Sequence, residues 1–183
     1  MPEYRRVKIK GGTYFITVVT HQRNRLLLKD ELRRALREGI RNVRQSLPFI
    51  IEAWVLLPDH LHTIWTLPEG DSNYQARWAI IKRAVSQKHC PAEADTQGAS
   101  KSRSERGEDF FWQRRFWEHY IRDDKDFERH MDYLHFNPVK HGYVRRVPDW
   151  PYSSFHRLVA QDLYPRDWGG TACEGMKEEE FGE

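Results

Sequence analysis

The order of elements along this chain predicts an α+β fold: a ferredoxin-like antiparallel sheet (β-α-β-β-α-β) with helices on one face, then a C-terminal helix and an extension. Three observations carry this. Short runs of β-branched and aromatic residues alternate with longer segments whose apolar residues recur at helical spacing. Gly, Pro and Asp punctuate the boundaries. Two of the strands are joined so closely that an antiparallel hairpin is the natural connection.

Thr13–Thr20 (TYFITVVT) follows a Gly-Gly turn and reads as the first strand. Lys29 to Gln45 carries Leu32, Ala35, Leu36, Ile40 and Val43 at helical spacing with arginines between, an amphipathic helix. Pro48 separates it from a second strand, Phe49–Leu57. Pro58-Asp59 then turns the chain into a third strand, His60–Leu67, which ends at Pro68, Gly70 and Asp71. Asn73 to about Lys88 is a second helix, with Tyr74, Trp78, Ile81 and Val85 on one side. Cys90 to Asp109 lacks apolar periodicity and reads as a mobile loop. Phe110–Ile121 is a fourth strand, bent or hairpinned around Gln113–Arg115. Asp123 to about Asn137 is a third helix, which Pro138 brings to an end nearby. The remainder is rich in turns and partly aromatic, and the acidic end reads as disordered.

A chain of 183 residues suits one domain with additions. Hydrophobic residues are 39% and mean hydropathy is −0.83, so the core is compact and much polar sequence lies on faces and in loops. The net charge of +3 is uneven: the segment 171–183 holds five acids and one lysine, leaving +7 on the rest. Such a body is compatible with nucleic acid and equally with an ordinary solvated surface. Cys90 and Cys173 form no CxxC pair, which argues against a zinc ribbon or a redox motif. Met1 to Lys10 is basic without an apolar signal core, and no apolar run approaches the roughly 20 residues of a membrane span. The expected compartment is cytoplasmic.

Residues i and i+2 of a strand share a face, so His60 and His62 present two imidazoles side by side while Leu61 turns into the core. Neutral imidazole binds divalent metals near neutral pH. A HxH tripeptide also occurs as polar decoration of an exposed face. Here the pair sits between the apolar segments WVLLP and TIWTL, where two histidines need a reason.

The segment Asp132–Gly142 holds the densest group of chemically useful side chains. Tyr133 and Asn137, at i and i+4, stack on one helix face. A phenol is a weak nucleophile at neutral pH, but a nearby divalent cation can polarise a phosphate and orient the scissile bond. The Asn137 carbonyl oxygen suits a hard cation such as Mg²⁺ or Mn²⁺ as a third ligand. Lys140 and His141 could hold phosphate or a leaving oxygen. The bland alternatives are a core-edge tyrosine, an Asn-Pro helix stop, and surface or capping roles for His130, His135 and His141.

Together, the motifs LPDHLHTIW (Leu57–Trp65), FWQRRFWEHYIRD (Phe111–Asp123) and YLHFNPVKHGYV (Tyr133–Val144) resemble the REP-associated tyrosine transposases, a branch of the single-tyrosine HUH transposases. The resemblance runs from about Tyr14 to Ser154, and the DWPYSS and DWGG segments agree with the family's C-terminal extension. It implies a transposase domain over 1–155 and an extension over 156–183. His60 and His62 would be metal ligands. Tyr133 would attack single-stranded DNA, leaving a 5′-phosphotyrosine and a free 3′-OH. Asn137 takes the place where relatives often carry Gln as third ligand. The implied substrate is a hairpin with a flanking guide tetranucleotide, as in repetitive extragenic palindromes, and the implied state is a monomer, with a dimer exchanging the Tyr helix as the alternative. A phosphotyrosine keeps the energy of the broken phosphodiester, which agrees with a chain lacking a P-loop or GxGxxG motif.

For DNA contact the candidates are Arg5, Arg6, Lys8 and Lys10 before the first strand, Arg114, Arg115 and Arg122 in or after the fourth, and Lys140 and His141. Trp112 and Trp117 serve either core packing or base stacking. Two other functions use the same residues: a non-catalytic hairpin-DNA-binding protein, and a metal-dependent phosphoesterase that uses water.

Overall fold

The computed structural model describes residues 6–89 and 111–169. The expected loop Cys90–Asp109, Arg5 and the acidic segment 171–183 lie outside them. Strand β1 (Thr13–Val19) has every residue after Thr13 buried. It is flanked on both sides, in a sheet of order β2-β3-β1-β4 whose pairs are all antiparallel. Strands β2 (Ile50–Leu56) and β3 (His60–Thr66) form the expected hairpin, and β4 (Trp117–Tyr120) closes the far edge. Helices α1 (Asp30–Ser46) and α2 (Tyr74–Lys88) connect β1 to β2 and β3 to β4. This is the predicted ferredoxin-like arrangement.

The alternation along the strands separates two cores. Tyr14, Ile16, Val18, Leu61 and Trp65 pack with α1 and α2, where Trp65 stacks on Trp78 at 4.6 Å between ring centres and 6° between planes. Phe15, Ala53, Val55 and Ile64 face the other way and pack against Met131, Tyr133 and Leu134 of α3 (Asp124–Lys140). The third helix thus covers the sheet face opposite α1 and α2. Arg77 ties two loops together from a fully buried position. It donates to the carbonyls of Leu47, Pro48 and Asn73 at 2.8–3.2 Å and to the Asp71 carboxylate at 2.6 Å, so its buried charge is paired and hydrogen-bonded.

Two expectations need correction. Helix α3 does not stop at Asn137 but continues through Pro138 to Lys140. A proline removes one helical hydrogen bond and strains the preceding turn, yet the packing on the sheet carries the helix past it. The stop comes at Gly142, whose φ of +70° is costly for other residues; its amide donates to Val139 and that of Tyr143 to Pro138, both at 2.9 Å. The fourth strand is also shorter than Phe110–Ile121, although its bend falls where the sequence places it. Trp112 bridges Thr20, the chain then swings outward, and the ladder resumes at Trp117 opposite Thr17.

The DWPYSS segment covers the outer edge of β2. Leu56 donates to the Tyr152 carbonyl at 2.8 Å, Ser154 donates from its amide to the Trp54 carbonyl at 2.9 Å, and the Trp54 amide donates to Ser154 Oγ at 2.9 Å. An exposed edge that would offer a template for another strand is thereby occupied. The short helix α4 (Phe155–Val159) follows. Among the described residues, no helix is long and apolar enough to cross a membrane.

Candidate active site

His60 and His62 open β3 on the face that α3 covers, and both are buried. Their rings lie 5.0 Å apart at 80°. Each is held through Nδ1 by an oxygen: His60 by Asp59 Oδ1 at 2.7 Å, His62 by Thr17 Oγ1 of the neighbouring strand at 2.8 Å. Partial burial opposes ionisation of Asp59, but the hydrogen bond and charge of His60 and the Arg23 guanidinium at 3.3 Å outweigh it and hold the carboxyl below its ordinary range. The carboxylate therefore stays ionised and fixes the ring that it accepts from.

Tyr133 comes to the same place from α3. Its ring is 5.5 Å from His62 at 72° and 6.2 Å from Phe15, which itself stacks on His62 at 5.3 Å. Phe15 thus packs against both the histidine and the tyrosine. Lys140 donates from Nζ to Tyr133 Oη at 2.9 Å, with the ammonium 4.8 Å from the ring centre. These two residues are seven apart, two turns along one helix face. Asn137 lies between them on that face, fully buried. His141, at the helix end, sits 5.3 Å from His60. The structure therefore brings His60, His62, Tyr133, Lys140 and His141 together from β3 and α3, and puts Asn137 on the tyrosine's side of the helix.

The basic candidates are more dispersed. Arg6 is ion-paired with the buried Glu118 at 3.2 Å and lies over the Phe116 ring at 4.1 Å. Lys8, Lys10, Arg114 and Arg115 are exposed. Arg122 is paired with Asp126 at 2.9 Å.

Reading the sequence missed two features. Asp59 and Thr17 hold the histidines; the adjacency of Asp59 to His60 was the available signal, whereas Thr17 is 45 residues from His62 and only strand register joins them. The second is a group on β4 and α3: His119 Nε2 meets Asp126 Oδ2 at 2.8 Å, and His130 Nδ1 meets Asp126 Oδ1 at 3.2 Å. Ligand atoms of His119, Asp126 and His130 all lie within 4.8 Å of one another, so this group could hold a metal. It also contains the Arg122 guanidinium, which already neutralises Asp126. Burial works against the Asp126 carboxylate, but the bonds from Arg122 and His119 prevail and hold it far below the ordinary value. Burial first, then the charge of His119, lowers His130 to about 4, against the raising effect of its bond to the Asp126 carbonyl.

No family model matches the chain. Curated relatives do. A REP-associated tyrosine transposase of Escherichia coli is 48% identical over 174 residues, covering 95% of this chain and 94% of that protein. A Haemophilus influenzae relative is 46% identical over 171 residues, covering 93% of this chain and 95% of its own. Among solved structures, that of a REP-associated tyrosine transposase bound to a REP hairpin has a TM-score of 0.79 and 44% identity, and the match covers 100% of this chain and 98% of that one. Near-complete coverage at such identity, on the same sheet and helices, leads to one statement: the chain belongs to the REP-associated tyrosine transposases.

Proposed function

We propose that this chain cleaves and rejoins single-stranded DNA at palindromic hairpin elements, with Tyr133 as nucleophile and a 5′-phosphotyrosine as intermediate. The observation that carries the reading is the meeting of Tyr133, backed by Lys140, with the oriented pair His60 and His62. The solved relative is one bound to a REP hairpin, and we take the same class of DNA as the ligand here. The working unit is residues 1–155, with 156–183 as an extension. The covered edge of β2 supports a monomer.

The donor set fits a divalent ion. With Nδ1 of each histidine engaged by an oxygen, Nε2 of His60 and of His62 would be the ligands, joined by the Asn137 amide oxygen. Bound there, Mg²⁺ or Mn²⁺ would polarise the scissile phosphate and orient it. The protein's own residues do the rest. Tyr133 Oη bonds to phosphorus as the bond from phosphorus to the 3′ oxygen breaks. The phenol gives up its proton and the 3′ oxygen gains one, so cleavage is neutral in protons overall. Lys140, donating to Oη, stabilises negative charge on that oxygen both when it attacks and when it leaves. In rejoining, a 3′ oxygen attacks the phosphotyrosine and the phenol is released, with no nucleotide cofactor needed. His141, at the helix end 5.3 Å from His60, would contact the phosphate. The bacterial cytoplasm, with its nucleoid DNA, is the compartment we propose for this chemistry.

Single-stranded hairpin DNA incubated with the protein and Mn²⁺ and resolved on a denaturing gel tests this. A covalent protein–DNA adduct is expected, and its absence in Tyr133→Phe. Cleavage that persists in Tyr133→Phe would identify a water-using phosphoesterase. Tight binding with neither product nor adduct would identify a binding protein.

A further inference from the structure

One stripe of side chains runs along α3: Asp126, His130, Tyr133, Asn137 and Lys140, spaced four, three, four and three residues apart. The first four are buried. Asp126 and Tyr133 thus lie on one face, two turns or about 10 Å apart along the axis. The contact of this helix with the sheet is otherwise largely apolar, with Met131 and Leu134 in one cluster with Phe15, Val55 and Ile64. Apolar packing is non-directional: it covers the sheet without dictating where along its axis the helix rests.

Asp126 supplies that direction. Its Oδ2 accepts from the Arg122 amide at 3.1 Å, from Arg122 Nε at 2.9 Å and from His119 Nε2 at 2.8 Å. Its Oδ1 lies 3.2 Å from His130 Nδ1, and its carbonyl accepts from that same nitrogen at 2.7 Å. His119 stands on β4 directly across from Phe15 of β1, and the other flank of β1 carries β3 with the histidine pair. The group therefore joins the helix that holds the tyrosine to the sheet that holds His60 and His62. The rings of His119 and His130 stack at 4.5 Å and 16°. Nearly parallel rings send their in-plane lone pairs side by side rather than toward one ion, and Arg122 already holds the carboxylate. As it stands, the group is a hydrogen-bonded pin.

We infer that Asp126 is a positioning residue for Tyr133: held by His119 and Arg122, it sets the axial register of α3 on the sheet and so the place of the phenol oxygen relative to His60 and His62. A buried polar contact in an apolar interface specifies register while adding little stability. A displacement of about 1 Å at a reacting atom can cost about 100-fold in rate. The inference rests on the reading that Tyr133 is the nucleophile.

The test uses full-length protein labelled with fluorotyrosine. It reads the fluorine resonance of residue 133 in the DNA-free protein, assigned by its loss in Tyr133→Phe. It also reads the single-turnover rate of adduct formation on hairpin DNA with Mn²⁺, together with the half-saturating protein concentration. Asp126→Ala is expected to split or broaden the resonance and to slow adduct formation about 10- to 100-fold at an unchanged half-saturating concentration. Asp126→Asn, whose amide oxygen still accepts, should keep most of the rate. His119→Ala should slow the reaction and His119→Gln, whose amide can donate to Asp126, should restore it, even if Asp126→Ala fails to fold. An unchanged resonance or an unchanged rate in Asp126→Ala would overturn the proposal, as would losses that neither the Asn nor the Gln variant recovers. Zn²⁺ that raises the melting temperature of a His60→Ala/His62→Ala double variant, but not once Asp126→Asn is added, would overturn it in favour of a metal centre. A wild type that forms no adduct would instead sink the nucleophile reading, and the fluorine resonance would still judge the pin.

Discussion

Two imidazoles gripped through Nδ1 are a different chemical object from two imidazoles on an exposed strand. A ring that can turn must be ordered by each ligand it meets, whereas the bonds from Asp59 and Thr17 set the orientation in advance. The charge on Asp59 also makes His60 more basic as a ligand. Replacing Asp59 with Asn keeps the shape but removes that charge. Asp59→Asn is therefore expected to weaken Mn²⁺ binding by about 10- to 100-fold, the usual effect of losing such a partner. Calorimetric titration of Mn²⁺ into the DNA-free protein measures this apart from catalysis. Unchanged affinity would remove His60 from the ligand set and turn attention to His119, Asp126 and His130. Lys140, a candidate for holding phosphate or a leaving oxygen, has its ammonium on the tyrosine oxygen in the DNA-free structure.

Helix α3 brings Tyr133, Asn137 and Lys140 into one line, so its ends govern how the tyrosine is presented. At the start, the Asp123 carboxylate accepts from the Asp126 amide at 2.9 Å, a side-chain cap. Asp126 then ties the first turn to β4 through His119 and to the chain entering the helix through Arg122. At the end, Gly142 turns the chain in the left-handed region with open space around the position where a Cβ would lie. Gly142→Ala therefore meets no steric neighbour, and its cost is conformational, about 1–2 kcal/mol. For a chain of this size each 1 kcal/mol lowers the melting temperature by about 2–4 °C. Thermal unfolding should show that drop for Gly142→Ala and a smaller one for Gly142→Asn, since Asn tolerates the left-handed region better. Equal drops for both would mean that something other than backbone conformation is lost.

Across the whole molecule, buried histidines link stability to pH. Burial lowers His135 to about 3, with the charges of Arg157 and His156 adding to it, and lowers His130 to about 4, both from an ordinary 6.5. The unfolded chain takes up these protons below pH 6.5 and the folded chain does not. The stability is thus fully present above 6.5 and falls as pH drops, until about 4 for His130 and about 3 for His135. Asp59 and Asp126 have lowered values, so what they contribute is lost only below the ordinary carboxylate value of 3.8. The fall in stability below pH 6.5 therefore comes from the histidines, while Asp132, whose carboxyl burial raises, works in the opposite direction. His135 packs between Phe155 and Tyr164, and His135→Phe should reduce the fall in urea midpoint between pH 7 and pH 5. A fall as steep as that of the wild type would show that His135 is not part of the linkage. Element order, the shared face of His60 and His62, and the line from Tyr133 to Asn137 were all legible in the sequence, because each follows from the period of a single strand or helix. The grip of Thr17 on His62, the run of α3 through Pro138 over the second sheet face, the bulge at 113–116 and the Arg122–Asp126–His119 group were not. They depend on strand register and on which elements meet in space, and local periodicity carries no record of either.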